Sequence, residues 1–125
     1  MKVLIIDDEQ GVLKMYGDYL KMAAIEPLVA TDGSTGIKIA KEQKPDVILL
    51  DIIMPRYNGL DVLKDIKADE EIKNIPVFLL TNLPQESSGD KTKALGASGY
   101  LVKAEYEPKM VLDVVRGAAA NKSEG

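Results

Sequence analysis

Five short apolar runs punctuate the chain at 2–6, 27–30, 47–50, 77–80 and 99–102, each bounded by polar or turn-forming residues. Short continuous runs of this kind match strands buried on both faces, as in a parallel sheet. Between them, apolar positions recur at helical intervals. Val12, Met15, Tyr16, Tyr19, Leu20 and Ala23 predict a first helix with that stripe as its buried face. Ile37, Ala40 and flanking lysines predict a second. Asn58, Gly59, Leu60 and Asp61 read as an N-cap followed by an acid at the third helical position, with Leu63 and Ile66 behind them. Glu107 and Pro108 open the last helix, anchored by Val111, Leu112, Val114, Val115 and Ala118.

The fourth helix is the weakest prediction. Residues 84–90 are poor in helix formers, Gly89 costs about 1 kcal/mol against alanine, and only Ala94 and Leu95 are core anchors. It is expected to be the least stable of five helices and a candidate for motion. The tail 118–125 fades into small and polar residues, a frayed terminus or the start of a linker. Five strand–helix alternations imply an α/β domain with a parallel sheet covered on both faces. The domain is expected over 1–120, with 121–125 as the tail.

Composition narrows the chemistry. The chain has 125 residues, enough for one domain with a real core, and a net charge of −4, which argues against a broad surface for nucleic acid or anionic lipid. No apolar stretch reaches spanning length, about 18 residues, so the cytoplasm is the default location. Cysteine and histidine are both absent. Disulfides, thiolate or imidazole ligands and a phosphohistidine are thereby excluded within this chain.

In an open parallel sheet, ligands bind beyond the carboxyl ends of the strands. Here those ends carry Asp7 and Asp8, Asp51, Thr81 and Lys103. Converging carboxylates are costly unless a cation joins them or one stays protonated. Hard oxygen donors without nitrogen or sulfur point to Mg2+, and the Ile53 carbonyl could add another oxygen. Lys103 would lower the pKa of a neighbouring carboxylate, and an ionised aspartate so placed can attack phosphorus to give an aspartyl phosphate. Each residue alone has an ordinary use. Asp7, Asp8 and Glu9 could cap the first helix, and Asp51 could cap a turn before Met54 and Pro55. Thr81 could be a strand-end hydroxyl, Lys103 a solvated lysine and Tyr100 half-buried packing. The combination is what points to one reaction.

Asp7-Asp8-Glu9 after the first strand, Asp51-Ile-Ile-Met-Pro55 followed by Gly59, Thr81, and Lys103 preceded by Tyr100 resemble the receiver domain of two-component response regulators, of the chemotaxis-regulator kind. The resemblance covers residues 2 to about 119. It implies a flavodoxin-like fold with strand order 2-1-3-4-5. It implies phosphoryl transfer to Asp51 from a histidine kinase or histidine phosphotransfer protein, so the chain would be a phosphoacceptor that assists its own phosphorylation and dephosphorylation, not an enzyme. Mg2+ would be held by Asp8, Asp51 and the Ile53 carbonyl, with Asp7 acting mostly through water. Thr81 and Lys103 would contact the phosphoryl oxygens, and Tyr100 would turn inward behind Thr81. The output face would combine the fourth helix, fifth strand and fifth helix. It would act on an attached effector domain or a separate target protein, with phosphorylation-dependent pairing of two copies as a further option, and without direct binding of nucleic acid or membrane.

Two positions depart from the family's pattern: Ala104 stands where proline usually follows the lysine, and Asn82 where a small residue is usual. Asn82 would narrow access to Asp51, and apolar Ile53 and Leu83 would leave water poorly oriented, so slow autodephosphorylation is expected. Two other classes form the alternatives. A phosphatase of haloacid dehalogenase type would need an Asp-x-Asp pair and a cap, and a flavin carrier would need a phosphate-cradling loop where this chain has acids.

Overall fold

A computed structural model describes residues 1–82, 95–103 and 108–124, with side chains through 119 in the last segment. The element order is β1 (Lys2–Ile6), α1 (Gln10–Met22), β2 (Glu26–Ala30), α2 (Gly33–Gln43), β3 (Val47–Leu50), α3 (Gly59–Ala68), β4 (Val77–Thr81), β5 (Gly99–Val102) and α4 (Pro108–Glu124). The five strands form one parallel sheet in the order β2-β1-β3-β4-β5. Fold and strand order are those expected. The helix predicted near residues 84–95 lies almost wholly outside the described residues, so α4 here is the predicted fifth helix.

Strand periodicity divides the core into two layers. Leu4, Ile6, Ile48, Leu50, Val77, Leu79, Tyr100 and Val102 face the layer built with α2 and α3. Val3, Ile5, Val47, Leu49, Leu80 and Leu101 face the opposite layer, built with α1 and α4. Strands buried on both sides need apolar residues at nearly every position, which is why they read as continuous runs. Pro27 sits in β2, an edge strand, where a missing N–H is tolerated.

Two helical predictions need correction. The buried positions of α1 are Leu13, Tyr16, Gly17 and Leu20, whereas Met15 and Tyr19 from the predicted stripe are exposed. The helix is rotated so that Gly17 faces Pro27 of β2, with room there for an ordinary side-chain contact. Helix α4 runs to Glu124, past its last apolar anchors. Ala118–Ala120 and the lysine and glutamate beyond are good helix formers and carry it on.

The N-cap at Asn58 is as expected, its side chain accepting from the Asp61 N–H at 3.1 Å. No helix among the described residues is long and apolar enough to cross a membrane.

Candidate functional site

The sheet's hydrogen bonding continues one step past the strands and sets the site. The Asp7 N–H donates to the Ala30 carbonyl at 3.1 Å, the Asp51 N–H to Ile6 at 3.0 Å, and the Lys103 N–H to Thr81 at 2.7 Å. Because Ile6 pairs with Leu50, the next residues, Asp7 and Asp51, emerge side by side. This lies where the chain leaves β1 in one direction and β3 in the other, the expected place for a ligand crevice.

Asp7, Asp8 and Asp51 each offer a carboxylate oxygen within 4.8 Å of the others. Asp7 and Asp51 are buried, while Asp8 is exposed. Lys103 Nζ lies 2.7 Å from Asp7 Oδ2 and 3.6 Å from Asp51 Oδ2. Thr81 is fully buried and hydrogen-bonds the Asp51 carboxylate, while Asp51 Oδ1 also accepts from the Ile53 N–H at 3.3 Å. A cavity of about 180 Å³, lined by Asp8, Glu9, Asp51, Ile53, Thr81, Asn82 and Lys103, opens here. It is too small for a drug-sized ligand, for which roughly 300 Å³ is the lower limit, but ample for a cation and a phosphoryl group. A larger groove of about 660 Å³ lies between α1 and β2, lined by Leu13, Gly17, Pro27, Val29 and the Lys14–Asp18 pair. It has no comparable cluster of reactive groups.

Charges here do not follow the simple expectation for Asp51. Burial raises its pKa, and Lys103, the Ile53 N–H and Thr81 only partly oppose that shift, with Asp7 reinforcing it. Lys103 therefore pulls in the predicted direction, but desolvation wins. Burial pushes Lys103 down, but hydrogen bonding to Asp7 and the charges of Asp51, Asp7 and Glu9 leave its pKa raised. The lysine remains a cation.

The capping alternative for the first acids is not what forms. Glu9 occupies the N-cap position of α1 but makes no side-chain cap bond, and Asp7 Oδ1 instead accepts from the Glu9 N–H at 2.9 Å. The turn role of Asp51 is real, through Ile53, and coexists with its place in the cluster. Tyr100 is 8 % exposed and already lies inward in the α2–α3 layer. Asn82 and Ile53 are exposed at the cavity rim. Leu83 and Ala104 lie outside the described residues.

From the sequence, Glu9 reads only as a cap or motif residue and Tyr16 only as part of the α1 stripe. Tyr16 is a buried phenol whose pKa burial raises, Lys103 lowers and Asp7 raises, which puts it within electrostatic reach of both. Its apolar helix position gave no signal of that.

Residues 3–115 match the family described as the response regulator receiver domain. The chain belongs to that family. This receiver domain is 28% identical over 109 residues to the polar-differentiation response regulator DivK of Brucella anthropi, covering 87% of this chain and 89% of that protein. DivK of Brucella ovis is 29% identical over the same length. Among solved structures, Vibrio cholerae chemotaxis protein CheY4 superposes with a TM-score of 0.86 at 30% identity, covering 94% of this chain and 97% of that one. The BeF3-activated N-terminal receiver domain of Klebsiella pneumoniae RstA superposes with a TM-score of 0.87 at 25% identity, covering 95% and 98%. Receiver-domain membership removes the phosphatase and flavin-carrier alternatives.

Proposed function

We propose that this receiver domain accepts a phosphoryl group from a phosphohistidine donor onto Asp51 and passes the signal to a partner or attached effector. The observation that carries the reading is the convergence of three carboxylates within 4.8 Å beside the Lys103 ammonium and the Thr81 hydroxyl. A donor set of hard oxygens suits Mg2+. Asp8, Asp51 and the Ile53 carbonyl would hold it directly. Asp7 Oδ2 is engaged by Lys103 and its Oδ1 by the Glu9 N–H, which supports a role for Asp7 through water. When bound, Mg2+ supplies positive charge that favours ionised Asp51 and offsets charge on the transferring oxygens.

In the transfer, an Asp51 carboxylate oxygen attacks phosphorus and an O–P bond forms. The P–N bond breaks, and its electron pair returns to the donor imidazole. Lys103 neutralises developing charge on the phosphoryl oxygens, while Thr81 donates a hydrogen bond to one of them. A charge-assisted hydrogen bond contributes about 1.5–3 kcal/mol, whereas moving an equilibrium from 1:99 to 99:1 needs about 5.5 kcal/mol. Thr81 alone cannot throw a switch. The weak helix predicted near 84–95 favours an unphosphorylated protein that already samples the active state, so that Thr81 and Lys103 need only bias an existing equilibrium. The proposed output face comprises β5, α4 and the helix predicted near 84–95, in a cytoplasmic signalling protein.

Exposed Ile53 at the rim offers no group to orient an attacking water, so the phosphorylated form is expected to persist for minutes or longer. Acetyl phosphate with Mg2+ should load one phosphoryl group, and intact mass after donor removal gives its lifetime. Loss within seconds would contradict slow autodephosphorylation, while failure to load with or without Mg2+ would count against phosphoacceptance itself.

A further inference from the structure

We propose that Tyr57 and Asp65 form a latch that holds the loop between β3 and α3 in a strained conformation and thereby positions the Ile53 carbonyl. The loop is closed at its base, where the Gly59 N–H donates to the Ile52 carbonyl at 2.7 Å. Ile52 and Met54 are buried in the α2–α3 layer, which leaves exposed Ile53 between two anchors. Beyond them the chain turns sharply. Arg56 has φ 68°, and the Tyr57 N–H donates to the Pro55 carbonyl at 2.7 Å. That pairing across one residue at positive φ is a γ-turn of the rare, strained kind. Such strain persists only where the surroundings over-determine it, and it gathers at functional sites.

Tyr57, the next residue, supplies the restraint. Its ring lies against Gly33 at the start of α2, so closely that a Cβ there would come within 2.7 Å of Tyr57 Cδ2, and Val62 of α3 meets the same spot. Its hydroxyl donates to the Asp65 carboxylate one and a half turns into α3. Burial and the neighbouring acids hold the phenol pKa up, so it stays a donor at physiological pH. The strained turn is thus pinned to two helices at once. It is also tied to the acceptor strand, because α3 begins at Gly59 directly on the Asp51 carbonyl.

The consequence for metal rests on the proposed function, whereas the consequence for the loop does not. Amide hydrogen exchange by NMR on the full chain, without metal, reads the loop. A charge-assisted hydrogen bond at a solvent-exposed position is expected to change local opening by roughly five-fold. Tyr57→Phe and Asp65→Ala should each speed Gly59 exchange relative to Leu49 in β3 by about that factor, and the double variant should be no faster, because the pair acts as a unit. Arg56→Gly, which relieves the turn, should reduce the Tyr57→Phe effect to less than about two-fold. Magnesium titration followed at the Gly59 amide should give a dissociation constant raised by roughly three- to ten-fold in Tyr57→Phe. Exchange at Gly59 unchanged in Tyr57→Phe, or a full effect persisting in Arg56→Gly, would overturn the latch. Unchanged magnesium affinity in Tyr57→Phe, with the parent binding normally, would overturn its positioning role. No binding by the parent would instead sink the magnesium reading and leave the exchange test standing.

Discussion

Gly59→Ala is expected to destabilise the domain by about 3 kcal/mol, at the upper end for overpacking, and to slow the proposed phosphoryl acceptance roughly 100-fold through misplacement of Asp51. A Cβ at this position would overlap the Asp51 carbonyl oxygen and come within 2.6 Å of Ile52 Cα and 2.8 Å of Asp51 C. All three obstacles are backbone, so no side chain can swing away. Relief requires α3 to lift from the end of β3. Lifting breaks the Gly59–Ile52 hydrogen bond and disturbs the Asn58 cap, which alone is worth about 1 kcal/mol. Asp51 moves with it, since its carbonyl is the first atom struck. Against a total stability of about 5–15 kcal/mol, the loss should appear as a clear fall in the urea midpoint by circular dichroism. A change below about 1 kcal/mol, with acceptance intact, would show that the helix start is not seated on Asp51 as described.

Lys103→Met should produce the other large effect, with a distinctive dependence on magnesium. The lysine side chain is 13% exposed and bridges Asp7, 3% exposed, and Asp51, 7% exposed. Removing the cation leaves buried carboxylates facing one another, at a cost of about 3 kcal/mol in EDTA. Magnesium should restore much of this, because it neutralises the same oxygens. Its affinity should therefore rise in the variant, since the competing ammonium has gone. Phosphoryl acceptance should nonetheless fall roughly 100-fold, the usual scale for losing a group that stabilises transferring charge. Urea unfolding with and without magnesium, alongside a magnesium titration, reads all three. Weaker magnesium binding in Lys103→Met would contradict the picture of two cations sharing one carboxylate cluster.

Those residues were legible in the sequence because parallel strands bring their carboxyl ends to one edge, so Asp7, Asp51, Thr81 and Lys103 could be grouped from strand position alone. Their pairing was less legible. The preference of Lys103 for Asp7 over Asp51, and the raised pKa of Asp51, depend on burial and on which oxygen faces which nitrogen. Those are properties of the packed molecule. The phase of α1 failed for a related reason. Met15 and Tyr19 are apolar yet exposed, and Gly17 is buried although glycine adds nothing to a hydrophobic stripe, so a count of hydrophobic positions misplaces the face. Tyr57 and Asp65, eight residues apart across a loop and a helix, carried no periodic signal at all. The residues that bound the site were written into the strands, while those that hold its loop emerge only once α2 and α3 are packed.

The most direct measurement is intact mass after incubation with magnesium and phosphoramidate, whose P–N bond stands in for phosphohistidine, on the parent chain and on Asp51→Asn. Asparagine keeps the shape of the site but removes the nucleophilic carboxylate. One added phosphoryl group on the parent and none on Asp51→Asn is the expected result. Equal phosphorylation of both proteins, or none on the parent under saturating magnesium and donor, would contradict the assignment of Asp51 as the acceptor.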